Sequence, residues 1–196
     1  MKKINEAIAK YAEDKRARKK SYAELVKRLQ KDIDRGYAGA VLAKETIDER
    51  RLRSESTDAW KRKELLEALE KTVEDEKEKL GVITKITADD LAEFALLEGI
   101  DFTEEEFIYC LRKYENNPLV LKKLKIIYQS DIRPFPFPKL KIEFLTEWEE
   151  QAKETIRYIT DLDYARTSEL DFMGDKISTD MHNTFLEEAL TAYNNC

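Results

Sequence analysis

The opening stretch "MKKINEAIAKYAEDKRARKKSYAELVKRLQKDIDRG", residues 1–36, decides the fold. Its apolar residues return every three or four positions: Ile4, Ile8 and Tyr11, then Tyr22, Leu25, Val26, Leu29 and Ile33. A gap falls at the basic run "KRARKK", 15–20. That period is helical, and the stripe it makes is narrow on an otherwise polar rod. A stripe so thin cannot enclose a core alone. It must fold back as a helical hairpin or pair with another chain. A helix of about 30 residues would be ~45 Å long, longer than a small globular domain.

Residues 1–80 hold no proline, and 40 of the 80 are charged, so the rod continues past this stretch. Gly36 and Gly39 are the natural break, because glycine loosens the backbone. A second helix follows with Val41, Leu42, Ile47 and Leu52. "SESTD", 54–58, offers N-caps for a third, with Trp60, Leu65, Leu66, Leu69, Val73 and Leu80 on its apolar side. Gly81 is a plausible stop. The fold class expected is all-α: a long N-terminal rod or hairpin over 1–80, then a compact helical bundle over 81–196.

Beyond the rod, "TADDLAEFALLEGI" begins at Thr87 as an N-cap and ends at Gly99. "TEEEFIYCLRKY" carries a capping box, Thr103 with Glu106. "NNPLVLKKLKIIYQ" has Asn117 as N-cap and Pro118 at the first helical position. Three short amphipathic helices result. "SDIRPFPFPKLKIEF", 130–144, then holds three of the chain's four prolines, each separated from the next by one phenylalanine. Proline fixes φ and biases the preceding residue to extended geometry, so 132–139 is expected to be extended. "KLKIEF" and "VITKI", 82–86, alternate in polarity and would suit one small two-stranded ribbon. Helix resumes with a second capping-box candidate, Thr146 with Glu149, and with Trp148, Ala152, Ile156 and Ile159 at helical spacing. Gly174 reads as a break. "NTFLEEALTAY" closes the chain, with Phe185, Leu186, Leu190 and Tyr193 on one side.

Composition narrows the function classes. The charged fraction is 39% and the hydrophobic fraction 42%, which still allows a core. No apolar run approaches the ~18 residues of a membrane span, and the N-terminus lacks the apolar region of a secretory signal. Cys110 and Cys196 make no disulfide framework, so a reducing cytoplasm is the expected location. The net charge of −6 is uneven: residues 1–80 carry 22 Lys/Arg and 18 Asp/Glu, and the excess of acids lies in 81–196.

Candidate chemistry is sparse. There is no P-loop, GxGxxG or GxSxG, hence no cofactor or nucleophile motif. His182 is the lone histidine, so a histidine-based zinc site has no second ligand of that type. The acids Asp161, Asp163, Asp171, Asp175 and Asp180 lack the spacing of a calcium loop. Catalytic and metal residues are therefore assigned to none, and the expectation is a non-enzyme. The partner-binding candidates are Ile4, Ile8, Tyr11, Leu25 and Leu29 on the rod, with Phe135 and Phe137 in the proline stretch. Self-association or a protein partner is expected, and no membrane. The alternative is a nucleic-acid-associated regulator using Lys15, Arg16, Arg18, Lys19 and Lys20 on phosphates. A small acidic inhibitor of a host factor is a further alternative.

"FIYCLRKYENNPLVLKKLKIIY", 107–128, together with the Lys/Glu-rich helical composition, resembles helical segments of head-assembly or scaffold-like accessory proteins of Gram-positive phages and prophages. The resemblance implies a non-enzymatic, oligomeric, coiled-coil-like factor of virion assembly. It transfers no functional residue.

Overall fold

The structure is a computed structural model that describes residues 1–36, 39–83, 85–97, 103–129, 139–166 and 168–196. Seven helices follow one another among the described residues, without a strand: α1 (Lys2–Asp34), α2 (Gly39–Lys79), α3 (Ala88–Leu97), α4 (Glu104–Lys113), α5 (Pro118–Gln129), α6 (Lys141–Thr160) and α7 (Glu169–Asn195). The fold is all-α.

The rod does fold back on itself. Gly36, at φ 65°, ends α1 in a left-handed turn that a side chain would strain. α2 starts at Gly39 and runs 41 residues without interruption, so the third helix expected from "SESTD" does not exist. Within α2 the Ser54 and Thr57 hydroxyls donate to the carbonyls of Arg50 and Arg53, one turn back, rather than capping a new helix. α2 stops at Gly81, φ 63°, in a Schellman motif: Val82 N–H donates to Lys77 O and Gly81 N–H to Glu78 O. Val82 is thus part of a helix cap, and Ile83 N–H donates to Asn116 O. The other half of the expected ribbon is helix as well, since "KIEF" forms the first turn of α6. Glu143 accepts from Leu140 N–H to start that helix, and Thr146 lies inside it, bonded back to Ile142 O. α7 likewise passes straight through Gly174.

Four long helices form a bundle in the ring order α1, α2, α6, α7, with α1–α2 and α6–α7 as its two antiparallel hairpins. Its core is continuous. Ile4, Ile8 and Tyr11 of α1 and Leu65, Leu69 and Val73 of α2 are buried with Trp148, Ile156 and Ile159 of α6 and Leu186, Leu190 and Tyr193 of α7. The expected division into a rod (1–80) and a bundle (81–196) does not follow this core, because half of its faces come from the rod. α4 and α5 add Phe107, Leu111, Val120 and Leu124 at the end of the bundle where α2 finishes and α6 begins. Asn117 caps α5 by accepting from Val120 N–H, and Thr103 with Glu106 forms the capping box of α4.

At the other end α1 and α2 outrun their partners. The ring of Tyr22 meets that of Tyr164, in the α6–α7 turn, edge to face at 5.7 Å. Past that level, residues 23–34 and 39–50 continue as a two-helix prong, about 18 Å long at 1.5 Å per residue, with the first turns of α7 beside its base. Its seam is thin: Leu25, Leu29, Ile33 and Ile47 are only half-buried and Ala43 is buried.

Candidate functional site: the outer face of α7 and its supports

Burial of a charge costs several kcal/mol unless it is paired and hydrogen-bonded. The basic run 15–20 meets that condition from the inside. Lys15 and Lys19 are each 1% exposed. Lys15 Nζ pairs with Asp58 and donates to Thr160 O at 3.2 Å. Asp58 also accepts from Tyr11 Oη at 2.5 Å, Arg18 Nη2 at 2.7 Å and Tyr164 Oη at 2.9 Å. One carboxylate on α2 therefore gathers donors from α1 and from the α6–α7 turn. Burial would raise the Asp58 pKa, but the hydrogen bonds from Lys15 and Tyr11 outweigh it and hold it below the ordinary value. Burial and the same carboxylate push the Tyr11 phenol far up, and burial takes Tyr164 to about 12. Lys19 pairs with Asp175 and lies over the Phe172 ring, and Arg16 reaches Asp180 at 3.1 Å.

Of the five basic residues put forward for phosphates, Lys15, Arg16, Arg18 and Lys19 are thus engaged within the chain, and Lys20 alone among them is exposed without an ion pair among the described residues. The partner-binding candidates of the rod turn inward as well. Ile4, Ile8 and Tyr11 are covered by the chain's own helices, and Leu25 and Leu29 are half-buried beside α2. Their helical spacing was read correctly; what covers them is intramolecular. Phe135 and Phe137 lie outside the described residues.

The acids of the C-terminal region each have a local task. Asp171 completes a capping box with Ser168 at the start of α7, Asp175 and Asp180 pair with α1, Asp163 accepts from Ala165 N–H, and Asp161 accepts from Arg62. His182 stacks on Tyr158 with ring centroids 4.6 Å apart. Among the described residues no group of three His, Cys, Asp or Glu is gathered to hold a metal ion. The Cys110 thiol is half-buried, and burial raises its pKa.

Large apolar side chains are exposed on several helices among the described residues, Val41, Leu42, Leu52 and Trp60 of α2 and Tyr109 of α4 among them, and the densest run of them is on α7. Its inner face buries Thr179, Leu186, Leu190 and Tyr193. Its outer face carries Leu170, Met173, Ile177, Met181 and Phe185, which are 75, 56, 61, 49 and 45% exposed. Spacings of three, four, four and four keep these five on one face, within roughly 120° of arc, since at 3.6 residues per turn the run closes a little over four turns. Together they bare on the order of 500 Å² of apolar surface, the upper end of what a monomer leaves uncovered. Phe185, expected on the inner side of its helix, belongs to this outer stripe. The signal was present in "LDFMGDKISTDM", where an apolar period runs alongside the acids that drew attention first.

Beside the stripe runs a groove of about 1070 Å³ between α1 and the first turns of α7. Arg16, Lys20, Lys27, Lys31 and Lys176 line it, with Val26 and Phe172 on its floor and with Glu24, Asp34 and Glu169 among its acids. α1 and α7 are antiparallel here, as the pairs Asn5–Glu187, Arg16–Asp180 and Lys19–Asp175 record. The Asp58 hub fixes one wall of the groove, α1, and the α6–α7 turn that leads into the other. No helix among the described residues is long and apolar enough to cross a membrane. Compared with family models, curated proteins and solved structures, the chain matches none.

Proposed function

We propose that this chain is a non-catalytic protein-interaction factor that works by presenting the outer face of α7 on a rigid helical body. The observation that carries the reading is the bare stripe from Leu170 to Phe185. Five large apolar side chains in one line lose free energy to water unless they are covered, at roughly 25 cal/mol per Å². The helix that bears them is anchored on its other face, so the stripe cannot turn inward. An assembly role agrees with the phage accessory proteins that residues 107–128 resemble, and the prong of α1 and α2 gives the same body a second projecting element.

The test is a photo-crosslinking residue placed at Ile177 in the full chain, in cells that produce it, with the same residue at the exposed Glu150 as a control. The reading expects a discrete protein adduct at 177 and none at 150. Equal, diffuse labelling at both positions would remove it.

A further inference from the structure

The stripe on α7 has an internal order that suits one partner in particular. About Ile177 it is nearly palindromic: Met173 and Met181 stand four residues to either side, and Leu170 and Phe185 stand seven and eight. A two-fold axis through Ile177 would set two α7 helices antiparallel, with Met173 against Met181 of the second copy. Self-complementary patches of this kind are what isologous dimers use. We infer that the chain forms a two-fold dimer through α7, its outer stripe covered by the same stripe of a second copy.

Charge supports the register. In such a pair each flank of one stripe meets the same flank of the other. On the flank toward α1 lie Lys176 and Asp180. The axis brings Lys176 of each copy beside Asp180 of the other. It also carries the acidic second half of the other α7, Glu187 and Glu188, back along the basic groove of Lys20, Lys27 and Lys176. A parallel pair would instead lay each acidic half against its like.

Gly174 is an independent sign. It sits inside a helix of 27 residues, where glycine is costly relative to alanine. Nothing among the described residues requires it, for a Cβ built there meets no atom within 4 Å. It borders the stripe on the other flank, level with Met181 of the second copy, where a bare backbone lets two helices approach closely. Area fits too. A standard interface covers about 800 Å² per partner. The stripe would supply its apolar centre and the groove its charged rim.

This inference rests on the stripe being a docking face and names what docks. The test is sedimentation of the full chain at about 100 μM, above the micromolar limit of standard-sized interfaces. The wild type should be a dimer and Ile177→Glu a monomer of unchanged helicity. Lys176→Asp and Asp180→Lys should each be monomeric alone, since each sets like charges across the axis twice. Mixed in equal amounts they should form a one-to-one heterodimer, because reversed signs then face each other at both places. A wild type that stays monomeric, a dimer indifferent to Ile177→Glu, or a mixture that stays monomeric would each overturn the inference. A monomeric wild type whose residue 177 still crosslinks to a different protein in cells would leave the broader reading standing. Absence of any specific adduct at 177 would remove that reading instead.

Discussion

At the residue scale, Asp58 ties α2 to α1 and to the α6–α7 turn. It is 4% exposed and accepts from Tyr11, Lys15, Arg18 and Tyr164. Asp58→Asn keeps the shape but strands Lys15, a buried ammonium without its counter-charge. Breaking one side of a buried pair costs about 3–5 kcal/mol. At roughly 2–4 °C per kcal/mol for a chain of this size, thermal unfolding should fall by about 10 °C. Lys15→Met should cost less, because Asp58 retains three of its four donors. The pH dependence follows from the direction of the Asp58 shift. Its folded-state pKa lies below its ordinary value, so its contribution is complete above that ordinary value and is lost as pH falls through the folded one. The gap in melting temperature between wild type and Asp58→Asn should therefore narrow on acidification below the ordinary aspartate range. A gap that widened toward acid would contradict the assignment.

At the element scale, α2 separates local signals from tertiary ones. Ser54, Ser56, Thr57 and Asp58 are good N-caps by type, yet here they lie in mid-helix, because Asp58 is needed on the face toward α1 and the helix must continue to place it. Thr57→Pro distinguishes the two geometries. Proline is tolerated in a first turn but removes a hydrogen bond and clashes inside a helix, at about 3 kcal/mol or more. Thr57 is exposed and its one side-chain bond goes to Arg53 O on its own helix, so the loss measured by denaturant unfolding should reflect mainly the local helix. A loss under about 1 kcal/mol would favour a helix boundary near 54–58. The caps that were legible, Thr103 with Glu106, Asn117 before Pro118, and Gly81, are those where local chemistry and the fold agree. Ser168 with Asp171 has the same signature and was legible in principle. The bare stripe of α7 was not, because Leu186, Leu190 and Tyr193 show a helical period just as Met173, Ile177 and Met181 do. Periodicity reports that a face is apolar and does not report what covers it. Gly174→Ala joins this scale to the interface. It should stabilise the monomer by about 0.5–1 kcal/mol while weakening self-association, two changes of opposite sign in thermal melts and in sedimentation.

At the scale of the whole molecule, the two ends of the chain form one body. The charge asymmetry between 1–80 and 81–196 is matched by ion pairs from α1 to Asp175 and Asp180 of α7. What the amino-acid pattern left open was whether the thin stripe of the rod is covered by a second chain or by the rest of its own. Ile4, Ile8 and Tyr11 answer this, since all three lie in the same apolar cluster as Trp148, Ile156 and Leu186. The consequence is a prediction about fragments. A chain beginning at Val82 lacks Ile4, Ile8, Leu65, Leu69 and Val73 from that cluster. At about 1.5–3 kcal/mol for each fully buried side chain, the loss is on the order of 10 kcal/mol. That equals the whole stability of an ordinary domain, about 5–15 kcal/mol. Residues 82–196 alone should therefore melt without a cooperative transition and bind a hydrophobic dye, whereas the full chain should unfold in one step. A cooperative melt from the fragment would mean that the bundle stands without the rod, and that the inward face of α1 is free for another partner.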